Sequence, residues 1–387
     1  MRQSFTLMSF TVLAMPIEIV TNIVVTRYMG AEDYGNYQYI GKVIAFLFVI
    51  LNFGLLRALN RNVLLAKNEP EKAREFYGLG LLLMGFISLL ISVALTIAAF
   101  VMPNFEEKGI VELTMYIVPF VFVYIFAYLY EQILPANNQI NLLIIKRIVP
   151  VVFVGISAGI IYYFFFDKGL NPVIVVWTFF LGSQLLVYLY ILLRLRPRFN
   201  HLKERLKDVY DMSKSYSFNV YIGDLFSTAF TSLMPLLISW FSLTNMGVGF
   251  YSLATVFSSP LSMVPTVIAT SHYSSFVNYK QIPRKIVLVT VGTSLLALIG
   301  LWIIIGPFIN WFYTEEYQPV ILLTIVTSVG TLLYGFSDFL SRYLSAKGDG
   351  VALRNSSFIV GFTALVSSLI MIYHWQAMGF LLFSNTM

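Results

Sequence analysis

Long apolar runs separated by short polar breaks dominate this chain. A helix needs roughly 20 mostly apolar residues to cross the hydrocarbon core of a bilayer, and such runs lie at about 4–26, 36–57, 77–101, 113–134, 141–166, 172–194, 216–243, 250–276, 286–309, 319–337 and 353–373. A twelfth, Gln376 to Met387, starts apolar but is too short to span and ends in Ser384-Asn385-Thr386-Met387. It is expected to be a truncated twelfth helix or a tail at the interface. The first run, Phe5 to Val25, follows a start with one positive charge, Arg2, and has no small-x-small site at its end. It is longer than a signal-peptide core, so a retained helix is expected. The pattern predicts an all-α integral membrane protein of eleven or twelve transmembrane helices.

Composition narrows the picture further. The 387 residues are 58% hydrophobic and 11% charged, with mean hydropathy +0.79, whereas soluble domains carry roughly 25% charged residues. Two or three soluble domains are thereby excluded. There is no cysteine, which removes disulfides, thiolate metal sites and cysteine nucleophiles. The calculated pI near 9.2 implies no nucleic-acid partner, because the basic residues fall in alternate loops. One side holds Arg2, the group from Arg57 to Arg74, Lys146 and Arg147, the run from Arg194 to Lys214, Lys280 to Lys285, and Arg342, Lys347 and Arg354, which is 21 of the 25 basic residues. The other side holds three, Arg27, Lys108 and Lys168, and Lys42 falls within a run. By the positive-inside rule the basic side, with the amino terminus, is expected in the cytoplasm.

The basic segment Arg194 to Lys214 divides the runs six before and five or six after. Expected units are an amino-terminal bundle over 1–200, a basic linker over 201–215 and a carboxy-terminal bundle over 216–387. Similar patterns recur in order across the divide. Tyr34-Gly35-Asn36-Tyr37 matches Val248-Gly249-Phe250-Tyr251, Asn104-Phe105-Glu106-Glu107 matches the loop around Glu315-Glu316, and Leu134-Pro135-Ala136 matches Leu344-Ser345-Ala346, at offsets of 214, 209 and 210 residues. Each pair falls on the same expected side, so two parallel, pseudo-symmetric six-helix bundles around a central cavity are predicted.

Several of these residues carry a family likeness. Arg27-Tyr28-Met29-Gly30, Asp33-Tyr34-Gly35-Asn36-Tyr37, Asn52-Phe53-Gly54 with Arg57, Met246-Gly247-Val248-Gly249-Phe250-Tyr251 and Glu315-Glu316-Tyr317 together resemble the O-antigen and polysaccharide-unit flippases of the multidrug/oligosaccharidyl-lipid/polysaccharide exporter superfamily. The resemblance implies two helical bundles whose shared cavity opens alternately to each side. It also implies movement of polyprenyl-pyrophosphate-linked oligosaccharide from the inner to the outer leaflet of a bacterial or archaeal cell membrane, with no cofactor. Partners implied with it are the lipid-linked substrate, membrane lipids, a polysaccharide polymerase and chain-length proteins.

Three ionisable residues fall inside predicted spans: Glu18, Lys42 and Asp224. A charge near the bilayer centre costs on the order of 3 kcal/mol and faces a cavity or a partner. Glu18 and Lys42 lie on neighbouring antiparallel runs, so they are expected to meet as cavity lining or as an ion pair. Asp224, close to Asn219, is expected to line the cavity. Glu18 and Asp224 are the candidates for coupling to a proton or sodium gradient. Pro16, Pro235, Pro260 and Pro265 sit within runs, where proline permits a kink and is also simply tolerated. Arg57 and Arg61 share a helical face at the cytoplasmic mouth and suit bidentate capture of a pyrophosphate; Arg27 and Arg147 are further candidates. Lys203, Arg205 and Lys207 are expected on an amphipathic helix against anionic lipid. Tyr124, Tyr128, Tyr188 and Tyr221 are candidates to stack on sugars, against the plainer reading of interfacial or packing tyrosines.

His201, His272 and His374 have no zinc-protease spacing, and the sequence has no glycine-rich phosphate loop. A flippase is therefore the first expectation and an enzyme is not expected. A cation-coupled drug exporter of the same architecture is the alternative, disfavoured by the basic inner rim. A membrane-embedded polymerase would want a large outer loop, and every outer loop here is short. A non-transporting scaffold of an assembly complex completes the alternatives.

Overall fold

The computed structural model describes residues 2–165, 171–276, 279 and 281–347, with Asn355 and Ile359 beyond them. The side chains of 1–14 and of several positions between 215 and 232 lie outside that description, as do the expected spans 353–373 and 376–387 and with them His374. Among the described residues all regular structure is helical.

The first helix, α1 (Arg2–Leu51), joins the first two predicted runs. Where the sequence suggests a polar loop, a single residue breaks it: Gly30, at φ 75 and ψ 175. Glycine takes this backbone without a Cβ penalty. The break folds the chain back, because the Tyr34 hydroxyl donates to Asn22 Oδ1 at 3.1 Å across twelve residues, a stretch that would rise about 18 Å in a straight helix. Pro16 lies inside α1.

The second run ends earlier than its hydropathy predicts. After Leu51 a turn through Phe53 (φ 46) and Gly54 (φ 74) starts α2 (Leu55–Leu65), whose axis is bent 70° from the preceding span. The Asn52 side chain accepts from Leu56 N at 3.1 Å, and a Cβ on Gly54 would lie 2.9 Å from the Ser217 carbonyl. Apolar character continues through the turn, which is why the sequence alone merges it with the span. The short helix is amphipathic: Leu56, Leu59 and Val63 are buried while Arg57 and Arg61 are exposed.

Next come α3 (Pro70–Val101), α4 (Pro103–Glu107), α5 (Val111–Ile117) and α6 (Val121–Ala136). The fourth predicted run is thus interrupted by a 3-10 turn at Val118–Phe120, where Pro119 has no N–H to continue the α pattern. Then follow α7 (Ile140–Phe165), α8 (Pro172–Leu195), α9 (Leu202–Met212), α10 (Phe218–Phe241), α11 (Met246–Phe276), α12 (Arg284–Phe312) and α13 (Pro319–Lys347). Helix α8 starts with Asn171 capping Val173 N and Ile174 N at 3.0 and 3.3 Å and Pro172 in the first turn, a favoured pairing. Among the described residues seven helical stretches are long and apolar enough to cross a membrane, or eight with the bent α1–α2 pair. The protein is a multi-pass membrane protein.

Two compact units divide within α10, at Leu225 and Phe226. In the first, α1 and α7 run parallel and close: Thr21 Oγ1 donates to the Val151 carbonyl at 3.2 Å, and Gly155 gives Thr21 the space a side chain would fill. In the second, α11 and α13 meet along small residues. Ser258 Oγ lies 3.4 Å from both Thr327 and Thr331 hydroxyls, and a Cβ on Gly335 would come 2.8 Å from Ser262 Cα. Small and hydroxyl residues let membrane helices approach where apolar burial gives no drive. Aromatic pairs pack within each unit. Tyr39 packs on Phe105 in the first, at 5.8 Å between ring centres, and Phe250 packs on Tyr317 in the second, at 5.7 Å.

Candidate functional site

Charged groups gather within the first unit, on helices of spanning length. Lys146 and Arg147 occupy the second turn of α7 and both reach Glu131 on α6. Lys146 Nζ lies 2.7 Å from Glu131 Oε1, while Arg147 donates from Nε to Oε1 at 3.1 Å and from Nη2 to Oε2 at 2.6 Å. The arginine fork thus takes the carboxylate side-on, the geometry that gives such pairs their strength. Lys146 is 8% exposed, Glu131 27% and Arg147 36%, so the triad is rooted in the bundle and opens at Arg147.

Glu18 belongs to the same cluster. The parallel packing of α1 on α7 sets Thr21 beside Val151, and one turn back along each helix come Glu18 and Arg147. The Arg147 guanidinium and the Glu18 carboxylate attract each other. Where the sequence predicts Lys42, the charge that acts on Glu18 is that of Arg147. The folded-back limb that carries Lys42 packs instead on α6, through Phe48 stacked on Tyr128 at 4.5 Å, and Lys42 is half-buried there.

Farther along α1 a chain of amides and rings continues the polar interior. Gln38 Nε2 donates to the Tyr34 hydroxyl at 2.8 Å, which in turn donates to Asn22. The Tyr37 ring lies 6.3 Å from Tyr34 and 5.8 Å from Trp177, and Tyr116 stacks on Trp177 at 6.3 Å.

The remaining predicted residues are dispersed. Arg57 and Arg61 share the exposed face of α2 as their spacing requires. Arg27 is exposed, three residues before the Gly30 break. Asp224 lies on the α10 backbone, and its side chain is outside the described residues. Of the four tyrosines singled out, Tyr188 is buried and donates to the Val123 carbonyl at 2.8 Å, and Tyr221 donates to the Ile50 carbonyl at 2.7 Å, tying the start of α10 to the end of α1. Tyr128 lies on Phe48, and Tyr124 packs on Phe180 at 5.6 Å.

Glu131 and Asp338 escape a search for isolated charges. Glu131 stands near the end of the fourth run, where a carboxylate passes as interfacial. Asp338 lies just past the tenth run as hydropathy bounds it, yet α13 continues to Lys347. There Asp338 Oδ2 accepts from Arg342 Nε and from the Thr266 hydroxyl, both at 2.8 Å. The i, i+4 spacing of Asp338 and Arg342 is the signal that could have found the pair.

On the basic side the linker is fastened to the first unit. Arg198 N donates to the Arg74 carbonyl at 2.9 Å and its side chain pairs with Glu71. Glu75 forms an ion pair with Arg205 at 3.3 Å and contacts His201 Nδ1 at 2.8 Å. Arg205 also reaches Asp208 at 2.9 Å and is only 13% exposed, so it faces inward and not toward lipid as expected, whereas Lys203 and Lys207 face outward. The linker borders a cleft of about 560 Å³ lined by Asn62, Phe76 and Asp208 among others.

Helices of spanning length and small-residue contacts define the class: a multi-pass helical membrane protein. Its fold is shared with several solved membrane proteins. A lipid II flippase, MurJ, in an inward closed conformation superposes with TM-score 0.65 at 15% identity, covering 95% of this chain and 81% of that one. The Vibrio cholerae MATE transporter VcmN gives 0.60 at 16% identity over 99% and 97% of the two chains. An inward-facing multidrug resistance MATE transporter of the MOP superfamily gives 0.58 at 14% identity over 96% of each. The family described as polysaccharide biosynthesis protein matches residues 1–279, and the chain belongs to it. No curated protein matches the sequence significantly.

Proposed function

We propose that this protein is a flippase that carries polyprenyl-diphosphate-linked oligosaccharide across the cell membrane by alternating access, from the cytoplasmic leaflet to the outer one. The observation that carries the reading is the charged cluster of Glu131, Lys146 and Arg147 on the spanning helices α6 and α7, with Glu18 near it on α1, in a chain of the polysaccharide biosynthesis family. Hydroxyls and a diphosphate cannot cross hydrocarbon unaided, since each unsatisfied polar group costs several kcal/mol. A polar path through the protein removes that cost while the prenyl chain stays in lipid. On this reading Arg57 and Arg61 receive the diphosphate at the cytoplasmic mouth, with Arg27, Lys42, Asp224 and Arg147 along the path. A proton or sodium gradient acting on Glu18 or Asp224 gives it direction, and the product passes to a polymerase for surface polysaccharides such as O-antigen.

The test uses purified protein in vesicles with a fluorescent lipid-linked oligosaccharide, scored for leaflet transfer with and without an ion gradient. Protein-dependent transfer is expected. Its absence, under conditions where the protein is folded and inserted, overturns the reading.

A further inference from the structure

Helix α9 carries three faces of different character. Val209 and Arg205 turn toward the first unit: Val209 is buried, and Arg205 pairs with Glu75 at 3.3 Å and lies 5.5 Å from the centre of the Phe76 ring. The acids form a second face, where Glu204 and Asp208 reach Arg205 at 3.2 and 2.9 Å and Asp211 borders the cleft. The third face holds Lys203, Leu206, Lys207 and Tyr210, whose spacings of three and four residues put them on one strip. All four are exposed, Leu206 at 46% and Tyr210 at 62%, and an exposed Lys214 follows one turn later. Because the acids of α9 turn to Arg205 and the cleft, the strip is purely basic and apolar. Its level relative to a bilayer follows from α3. The 32 residues of that helix rise about 48 Å, against roughly 30 Å for the hydrocarbon core and 40–45 Å with the headgroups. The residues just before its apolar run, which starts at Tyr77, therefore stand among headgroups. There the linker is fastened: Arg205 on Glu75 and Phe76, and Arg198 by its N–H on the Arg74 carbonyl and by its backbone against Gly78.

We propose that the strip of Lys203, Leu206, Lys207 and Tyr210 on α9 binds anionic phospholipid of the leaflet beside it. Leucine and tyrosine enter the boundary between headgroups and acyl chains, as on other interfacial amphipathic helices. The lysine stems lie along apolar surface while their ammonium groups stay among the lipid phosphates, where an anionic leaflet attracts them. Charge complementarity selects the occupant: the basic strip carries the apolar side chains, and the acidic face of the same helix points elsewhere. Since α9 lies between α8 and α10, bound lipid braces the segment that joins them. The lipid face is independent of what the protein carries.

The experiment uses the full chain in vesicles of equal parts phosphatidylcholine and phosphatidylglycerol. The chain has no native cysteine, so Leu206→Cys takes a single bimane, which is itself apolar. Its fluorescence is quenched by lipid spin-labelled near the headgroup, with the label placed on one lipid or the other at unchanged composition. Quenching by phosphatidylglycerol is expected to exceed that by phosphatidylcholine by about fivefold. Raising salt from about 0.1 to about 1 M, which shortens the Debye length to about 3 Å, should bring the ratio toward one. Lys203→Gln with Lys207→Gln should do the same at low salt, while Lys203→Arg with Lys207→Arg should keep the preference; equal thermal unfolding of both pairs checks that the fold is intact. Equal quenching by the two lipids in the parent, or a preference that survives loss of both lysines, overturns the anionic assignment. A bimane quenched by neither lipid places α9 away from the leaflet, leaves the strip to a protein partner and overturns the proposal as a whole.

Discussion

At the scale of single residues, the linker is held by one glycine and one carboxylate. A Cβ on Gly78 would run into the Arg198 backbone, with its carbonyl carbon 2.8 Å away, and backbone cannot step aside as a flexible side chain can. Gly78→Ala is therefore expected to cost roughly 1–3 kcal/mol in thermal unfolding and to speed proteolysis between 196 and 205. Glu75 makes the same contact sensitive to pH. Its hydrogen bond to His201, and then its charge, raise the histidine pKa above the usual value. A raised value means that docking is strongest below the unfolded pKa of about 6.5 and weakens as pH rises through the folded value. The protection of amides at 196–205, relative to their intrinsic exchange rates, should thus fall from about pH 6 to about pH 8, and Glu75→Gln should flatten that dependence. An unchanged slope in the variant would refute the assignment.

Elements meet here through small residues more than through apolar interdigitation. The α1–α7 contact depends on Gly155, where a Cβ would lie 2.7 Å from Thr21 Oγ1. Gly155→Val should push the two helices apart and lower stability by roughly 1–3 kcal/mol, while Gly155→Ala should do less because the threonine hydroxyl can turn away. Thermal scans in detergent compare the two. A valine variant as stable as wild type would mean that α1 and α7 do not pack as described.

For the whole molecule the decisive quantity is the distribution of basic residues, 21 on one side and three on the other. With no native cysteine, single cysteines report sidedness without background. Lys203→Cys in the linker should react with an impermeant maleimide only after the membrane is opened, and Lys108→Cys should react in intact cells. The opposite pattern would invert the topology and, with it, the direction of transport proposed above.

The sequence by itself determined that this is a helical membrane protein and where most of its spans fall, because hydropathy and turn residues act locally and leave a linear record. It also marked Glu18, Lys42 and Asp224 as costly charges inside spans. Only the tertiary structure decided which charges pair. Glu131 lies 15 and 16 residues from Lys146 and Arg147, and the Arg147 charge acts on Glu18 across the packing of α1 on α7, so no spacing rule relates these residues. The break at Gly30, the bend before α2 and the inward turn of Arg205 were hidden for a similar reason. Each rests on a backbone angle or a contact with a segment distant in sequence, and apolar runs continue through such places with no change of composition.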